Sequence, residues 1–206
     1  MTTADAARSI NARALFTVSL LLVGSAASGQ PWETTSACTI ATVRAEPVDG
    51  TAADFCGRIA AYVTFRGELQ EHLPVVQVTN DVAEIRAVVH ALATMMRSTR
   101  RRPKEGEIFT PTTAAAFRKR LLLVATANTC RTIMDDNPGS LGAAVSRDYP
   151  EGKPRSTTPP TVLAILPVLP PDIEYRFVGR DLILLDTRAN IVVDRIANAI
   201  RCGRCG

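Results

Sequence analysis

Seven prolines fall within 33 residues, Pro138, Pro150, Pro154, Pro159, Pro160, Pro167 and Pro170, with Pro171 closing the run. Proline fixes φ and lacks the N–H that a helix interior or a central strand needs, so no regular element can run through this stretch. The chain must therefore be built as two halves with different periodicity, joined by a long connection over residues 137–171. Unstructured loops of that length are uncommon inside a compact domain, so a subdomain boundary is expected there. Within it, Thr161–Leu166 has room for one or two helical turns, started by Pro159 and Pro160 and stopped by Pro167.

Upstream of the prolines the apolar period is helical. Phe55, Ile59, Tyr62, Val63, Arg66, Leu69 and Leu73 follow one stripe, with Thr51 as N-cap and Pro74 as stop. A second helix is expected over about Asn80–Arg101, with Thr79 or Asn80 as cap and Val82, Ile85, Val88, Val89, Leu92, Met95 and Met96 on one face. The third has the plainest start signal, Thr110 as N-cap and Pro111 at the first helical position. Its face carries Phe117, Leu121, Val124, Ala125 and Ile133, and it is expected to run to Asn137-Pro138-Gly139. Three amphipathic helices with short connections predict an antiparallel bundle over residues 51–136.

Downstream the period changes to that of strands. Glu174–Val178 alternates, Gly179-Arg180 fits a two-residue hairpin turn, and Leu182–Leu185 is apolar on both faces, as in a middle strand covered on both sides. Thr187–Asn190 makes the second turn, with Asn suited to a left-handed conformation, and Ile191–Ile196 is the third strand. The fold class expected is α+β, a three-helix bundle followed by a three-stranded antiparallel meander over 172–206. A meander this small needs the helices or another chain to pack against.

Residues 1–27 read as a secretory signal peptide. Arg8 and Arg13 precede an apolar block, Ala14–Val23, of about ten residues, and small residues follow. Cleavage is expected after Ala27, with Gly29 as the second choice. The block is shorter than the roughly 20 residues that span a bilayer, and no later stretch is long enough either. The product expected is periplasmic or secreted, with no transmembrane segment after cleavage. Residues 28–50, which hold the single Trp, Trp32, read as a loose leader. Losing residues 1–27 leaves 22 basic and 19 acidic residues. Neither this balance nor the +4 of the whole chain over 206 residues suggests a nucleic-acid binder.

All five cysteines lie beyond the expected signal peptide, and in an oxidising compartment disulfides persist. Their number is odd, so one stays free or pairs between chains. The favoured arrangement is Cys38–Cys56 with Cys202–Cys205, leaving Cys130 unpaired. The other joins Cys130 to a tail cysteine and ties the sheet to the helices. The C-x-x-C spacing of Cys202 and Cys205 also admits a thiol-redox or metal role, but no helix follows to depress a thiol pKa and no second pair completes a zinc knuckle.

The search for catalysis yields exclusions. His90 lies about ten residues into its helix, roughly 15 Å from the turn beside His72, so the two cannot share a metal. There is no Gly-x-Ser-x-Gly elbow, P-loop, Gly-x-Gly-x-x-Gly or His-Glu-x-x-His. Asp135-Asp136 and the pair Asp186 and Asp194 read as turn and strand residues rather than acid/base pairs. No catalytic residue, metal site or cofactor is expected. The densest charge cluster, Arg97, Arg100, Arg101, Arg102 and Lys104, is the candidate for an anionic surface or an acidic partner.

One resemblance is carried by the tail: Leu169-Pro170-Pro171, Glu174–Leu182 and Asn190–Asp194. It resembles the C-terminal module of secreted bacterial proteins of unknown role and, more distantly, the periplasmic nickel/cobalt-homeostasis (RcnB-like) family. The resemblance covers about 27 of the 206 residues. It implies a small periplasmic accessory protein, in the setting of envelope stress or metal homeostasis. No histidine lies in or near the hairpin, so no metal ligand carries over. The function expected is an exported, non-enzymatic protein with a protein partner. The alternatives are an anionic-surface binder through the arginine cluster and a thiol or metal protein through Cys202 and Cys205.

Overall fold

The structure, a computed structural model, describes Cys38 and residues 50–74, 80–100, 103–139, 141 and 144–202. The expectations for the signal peptide, Trp32, Arg101, Arg102 and Cys205 lie outside the described residues. The architecture is α+β: helices α1 (Gly50–Gln70), α2 (Val82–Thr99), α3 (Pro111–Val124), α4 (Ala127–Asp135) and the single-turn α5 (Pro160–Leu163), then strands β1 (Ile173–Val178), β2 (Asp181–Asp186) and β3 (Ile191–Ile196). The strands form one antiparallel sheet in the order β1-β2-β3.

The expected third helix is two. The α3 start is as read: the Thr110 hydroxyl accepts from the Thr113 N–H at 3.2 Å. The same device recurs at Thr126, whose hydroxyl accepts from the Thr129 N–H at 3.2 Å and opens α4. A capping Thr diverts the chain because its own φ and ψ are extended. The Thr-x-x-Thr spacing at 126–129 repeats that at 110–113 and was the available signal. The cap of α2 is Asp81, which accepts from the Ala83 N–H at 2.7 Å, rather than Thr79 or Asn80.

The helices do not bury their stripes only against one another. Phe55 of α1 packs on Phe109 and Phe117, with ring centroids 5.6 and 5.0 Å away, and on Tyr175 of β1 at 6.4 Å. Helical and sheet residues share one core, with Ile59, Met96, Leu121 and Ile133 in the same cluster as Phe177, Leu184 and Val193. The other face of the sheet, Val178, Ile183, Leu185 and Val192, is covered by Tyr149 and Leu141. The four residues Leu182–Leu185 are therefore wholly buried, as a strand covered on both sides must be.

The Pro-rich connection supplies that second cover, so the core does not divide at the expected boundary. Its residues 146–149 run along β3, with Ser146 N–H donating to Val192 O and Val192 N–H donating to Arg147 O. At the opposite edge the Ser156 hydroxyl donates to Phe177 O and accepts from Phe177 N–H, and the Thr158 hydroxyl donates to Tyr175 O. These hydroxyls satisfy edge groups of β1 without a further strand, which is how a Pro-rich segment can close a sheet edge. Gly179 (φ +60°) makes the first hairpin turn, and Asn137 holds it by accepting from Gly179 N–H and donating to Gly179 O. Asn190 (φ +50°) closes the second turn.

Two buried carboxylates join the layers. A bulge between Leu184 and Leu185 offsets β3 by one residue, so that Asp194 lies opposite Leu184. Asp194 accepts from the N–H groups of Gly106, Ile108 and Phe109, at 2.7–2.8 Å, and from that of Arg195. Asp186 accepts from the Tyr62 hydroxyl at 2.8 Å, from the Arg66 guanidinium at 3.2 Å and from the N–H groups of Arg188 and Ala189. Buried charge is tolerated only with such partners.

The cysteine pairing is corrected in part. Cys38 and Cys56 form a disulfide, and so do Cys130 and Cys202, whose Cα atoms are 5.6 Å apart. Cys202 is thus not paired with Cys205, and Cys130 is not left free. The reason is the path of the chain after β3: Arg118 of α3 donates to Ala197 O, which leads the tail across to the buried face of α4.

Candidate functional site

The residues singled out for chemistry are mostly engaged inside the protein. Asp186 and Asp194 each accept several hydrogen bonds, from backbone, tyrosine and arginine donors at Asp186 and from backbone N–H groups at Asp194, and serve as joints. His72, in the turn after α1, is bonded to Glu68 O of that helix, and His90 of α2 faces Glu151 at 3.7 Å, so the two histidines have separate partners. Among the described residues no group of three His, Cys, Asp or Glu is placed to hold a metal ion. In the arginine cluster, Arg97 pairs with Asp148, and Arg100 pairs with Glu107 while lying over the Tyr62 ring. Both guanidiniums fasten α2 to neighbouring segments. Glu107 also accepts from the Lys104 backbone N–H at 2.9 Å.

Three surface clefts differ in what they leave unsatisfied. One of about 410 Å³ lies beside α1, where Arg58 and Arg100 meet Glu107. Its cations are paired, Arg58 with Asp54 and Glu107 O, and Arg100 with the Glu107 carboxylate. The Asp54 carboxylate holds the Arg58 pKa above its ordinary value. A groove of about 390 Å³ runs beside β1 under Pro167, Pro170 and Pro171, and its charged pair, Glu174 and Arg176, is bonded to itself at 2.7 Å.

The third, of about 360 Å³, lies between α2 and residues 149–155. Its floor and one wall are apolar. The buried stripe of α2, Leu92, Ala93 and Met96, continues toward the N-terminus as Val82, Ile85 and Val89. There it loses its cover: Val82 is 58% and Ile85 48% exposed. The sequence reading placed the whole stripe in the core, but Val82 and Ile85 in its first turn stand open and Val89 is only half-buried. Ile85 and Val89 line the cleft instead.

The opposite wall is a tight turn, with Lys153 N–H donating to Pro150 O and Gly152 at φ +72°. That sign of φ at the third turn position selects glycine. Tyr149 anchors the wall. Its ring is buried, its hydroxyl donates to Pro154 O, and its backbone exchanges bonds with Asn190. Burial pushes the Tyr149 phenol above its ordinary pKa, against the opposing pull of Arg155 and Arg176. Arg155 lies 5.8 Å over the Tyr149 ring and bonds Asn190 Oδ1 at 3.1 Å.

Arg86 and Lys153 complete the rim, and neither has an acidic partner among the described residues. The cleft thus combines an uncovered apolar wall with Arg86, Lys153 and Arg155, against one carboxylate, Glu151, which faces His90. Such a site can seat an apolar group and hold a carboxylate or phosphate beside it. Among the described residues no Ser or Cys lines it. Sequence reasoning missed it because its walls come from residues more than sixty positions apart.

Comparison with protein-family models, with curated proteins and with solved structures returns no match.

Proposed function

We propose that this chain is an exported, non-enzymatic accessory protein that binds an acidic segment of a partner protein in the cleft between α2 and residues 149–155. The observation that carries the reading is the meeting of the stripe Val82, Ile85 and Val89, its first two residues exposed, with the cations Arg86 and Lys153, which have no acidic partner among the described residues. A free carboxylate-bearing peptide with one aromatic or aliphatic anchor matches both halves of that surface. Export is supported by the pattern of residues 1–27. It is also supported by two disulfides, which fit an oxidising compartment. No helix among the described residues is long and apolar enough to cross a membrane. The tail resemblance adds the envelope as the setting.

The test is fluorescence anisotropy with a labelled acidic peptide carrying one Phe, against its charge-reversed counterpart. The acidic peptide is expected to bind more tightly. Replacing Arg86 and Lys153 together by Glu is expected to weaken it by about tenfold or more, as loss of two close charge pairs does. Equal binding of the two peptides, or no effect of the double replacement, overturns the reading.

A further inference from the structure

A second surface lies at the corner between α3 and α4. Leu122 and Leu123 are 63% and 78% exposed, and Met134 of α4 is exposed too. The two leucines line none of the three clefts described. Side chains this open stand clear of their neighbours, so a rigid groove-filling contact is not what they offer. Scattered exposed leucines need no explanation, but two in succession beside a charge cluster of one sign do.

The cations around them come from three parts of the chain. Arg118 and Lys119 precede the leucines by three or four residues, and so share their side of α3. Arg118 donates to Ala197 O at 2.9 Å and lays the C-terminal segment against α3. The Cys130–Cys202 disulfide, with Cα atoms 5.6 Å apart, then joins the segment that carries Arg201 to the segment that carries Arg131. All four cations are exposed. The acidic groups on α4 and just after it, Asp135 and Asp136, lie at its far end, and neither forms an ion pair with any of the four among the described residues. Cations outnumber acids around an apolar tip, which is the arrangement that docks on anionic lipid: side chains enter the headgroup and acyl boundary while Lys and Arg stay with the phosphates.

We infer that the α3–α4 corner is a docking surface for an anionic lipid bilayer, with Leu122 and Leu123 inserted and Lys119, Arg131 and Arg201 on the headgroups. This surface is separate from the α2 cleft and stands or falls independently of it. It is also distinct from the Arg97–Lys104 cluster, in which Arg97 and Arg100 are paired with Asp148 and Glu107.

The experiment is co-sedimentation of the full chain with vesicles of phosphatidylcholine, with and without phosphatidylglycerol. Each variant keeps residues 14–23, so a difference between variants belongs to the corner. Wild type is expected to bind the phosphatidylglycerol vesicles more strongly and to release at raised salt. Leu122→Ser with Leu123→Ser should reduce the partition about tenfold or more at unchanged thermal stability. Lys119→Glu with Arg131→Glu should abolish the preference for phosphatidylglycerol. Unchanged partition in either double variant overturns the inference. So does a serine variant that alters only the sedimentation velocity, since that would make the corner a contact between copies of the chain.

Discussion

Asp194 sits in a run of apolar residues, Ile191-Val192-Val193-Asp194, and its carboxylate is wholly buried. Its acceptor oxygens take up four backbone N–H groups that would otherwise be orphaned. The loss on truncation is dominated by those stranded donors rather than by the carboxylate itself. Asp194→Ala is therefore expected to cost about 3 kcal/mol or more in urea unfolding. A loss below about 1 kcal/mol would mean that water enters and replaces the carboxylate. That Asp194 needs donors was legible, because a carboxylate inside an apolar strand must find them. Where they come from was not, since residues 106–109 lie more than eighty positions away.

At the scale of elements, the strongest tie is the Cys130–Cys202 disulfide, with a sequence separation of 72 residues. Loop-closure entropy for a ring of that size stabilises by about 4 kcal/mol. Replacing both cysteines by Ala is expected to lower stability by about that amount and to loosen the tail from α4. The check is a pair of thermal melts together with a non-reducing peptide map of wild type. A map linking Cys202 to Cys205, with Cys130 free to alkylate, would sink the assignment. Spacing alone favoured the nearer thiol. The path of the tail across α3, held by Arg118, decides for the farther one. The break between α3 and α4 is the opposite case, because the repeated Thr-x-x-Thr made it readable in advance. The end of α1 at Gln70, three residues before the expected Leu73, is ordinary end effect near Pro74.

At the scale of the molecule, helices and sheet form one core, and two tyrosines report on it. Tyr62 of α1 reaches Asp186 of β2, and Tyr175 of β1 joins the aromatic cluster of α1 and α3. Burial, and for Tyr62 the Asp186 carboxylate, hold both phenols well above their ordinary pKa, against the opposing charges of nearby arginines. The folded state thus keeps two protons that the unfolded state releases near pH 10. Their contribution is complete below that pH. It falls as pH rises toward the folded values, by up to about 1.4 kcal/mol per pH unit for each tyrosine. Urea unfolding of Cys205→Ser, which removes a thiol able to exchange disulfides, should show this decline between about pH 10 and 11. Tyr62→Phe should flatten the slope by about half while lowering stability at neutral pH, because the Asp186 bond is lost. A slope unchanged by Tyr62→Phe would mean that another group governs the alkaline limit.

The element types, most of their limits, the two hairpin turns and the doubly covered middle strand were all determined by the sequence itself. Each rests on local physics: apolar period, proline geometry, capping oxygens and glycine or asparagine at positive φ. The sharing of one core across the Pro-rich stretch, the partner of Cys202, the donors of Asp186 and Asp194 and the gap over α2 were decided only by the tertiary structure. Each depends on which distant surfaces meet, and the energy of meeting is a property of both surfaces together. A stripe that reads as core is core only where something covers it, and at Val82 and Ile85 it lies open.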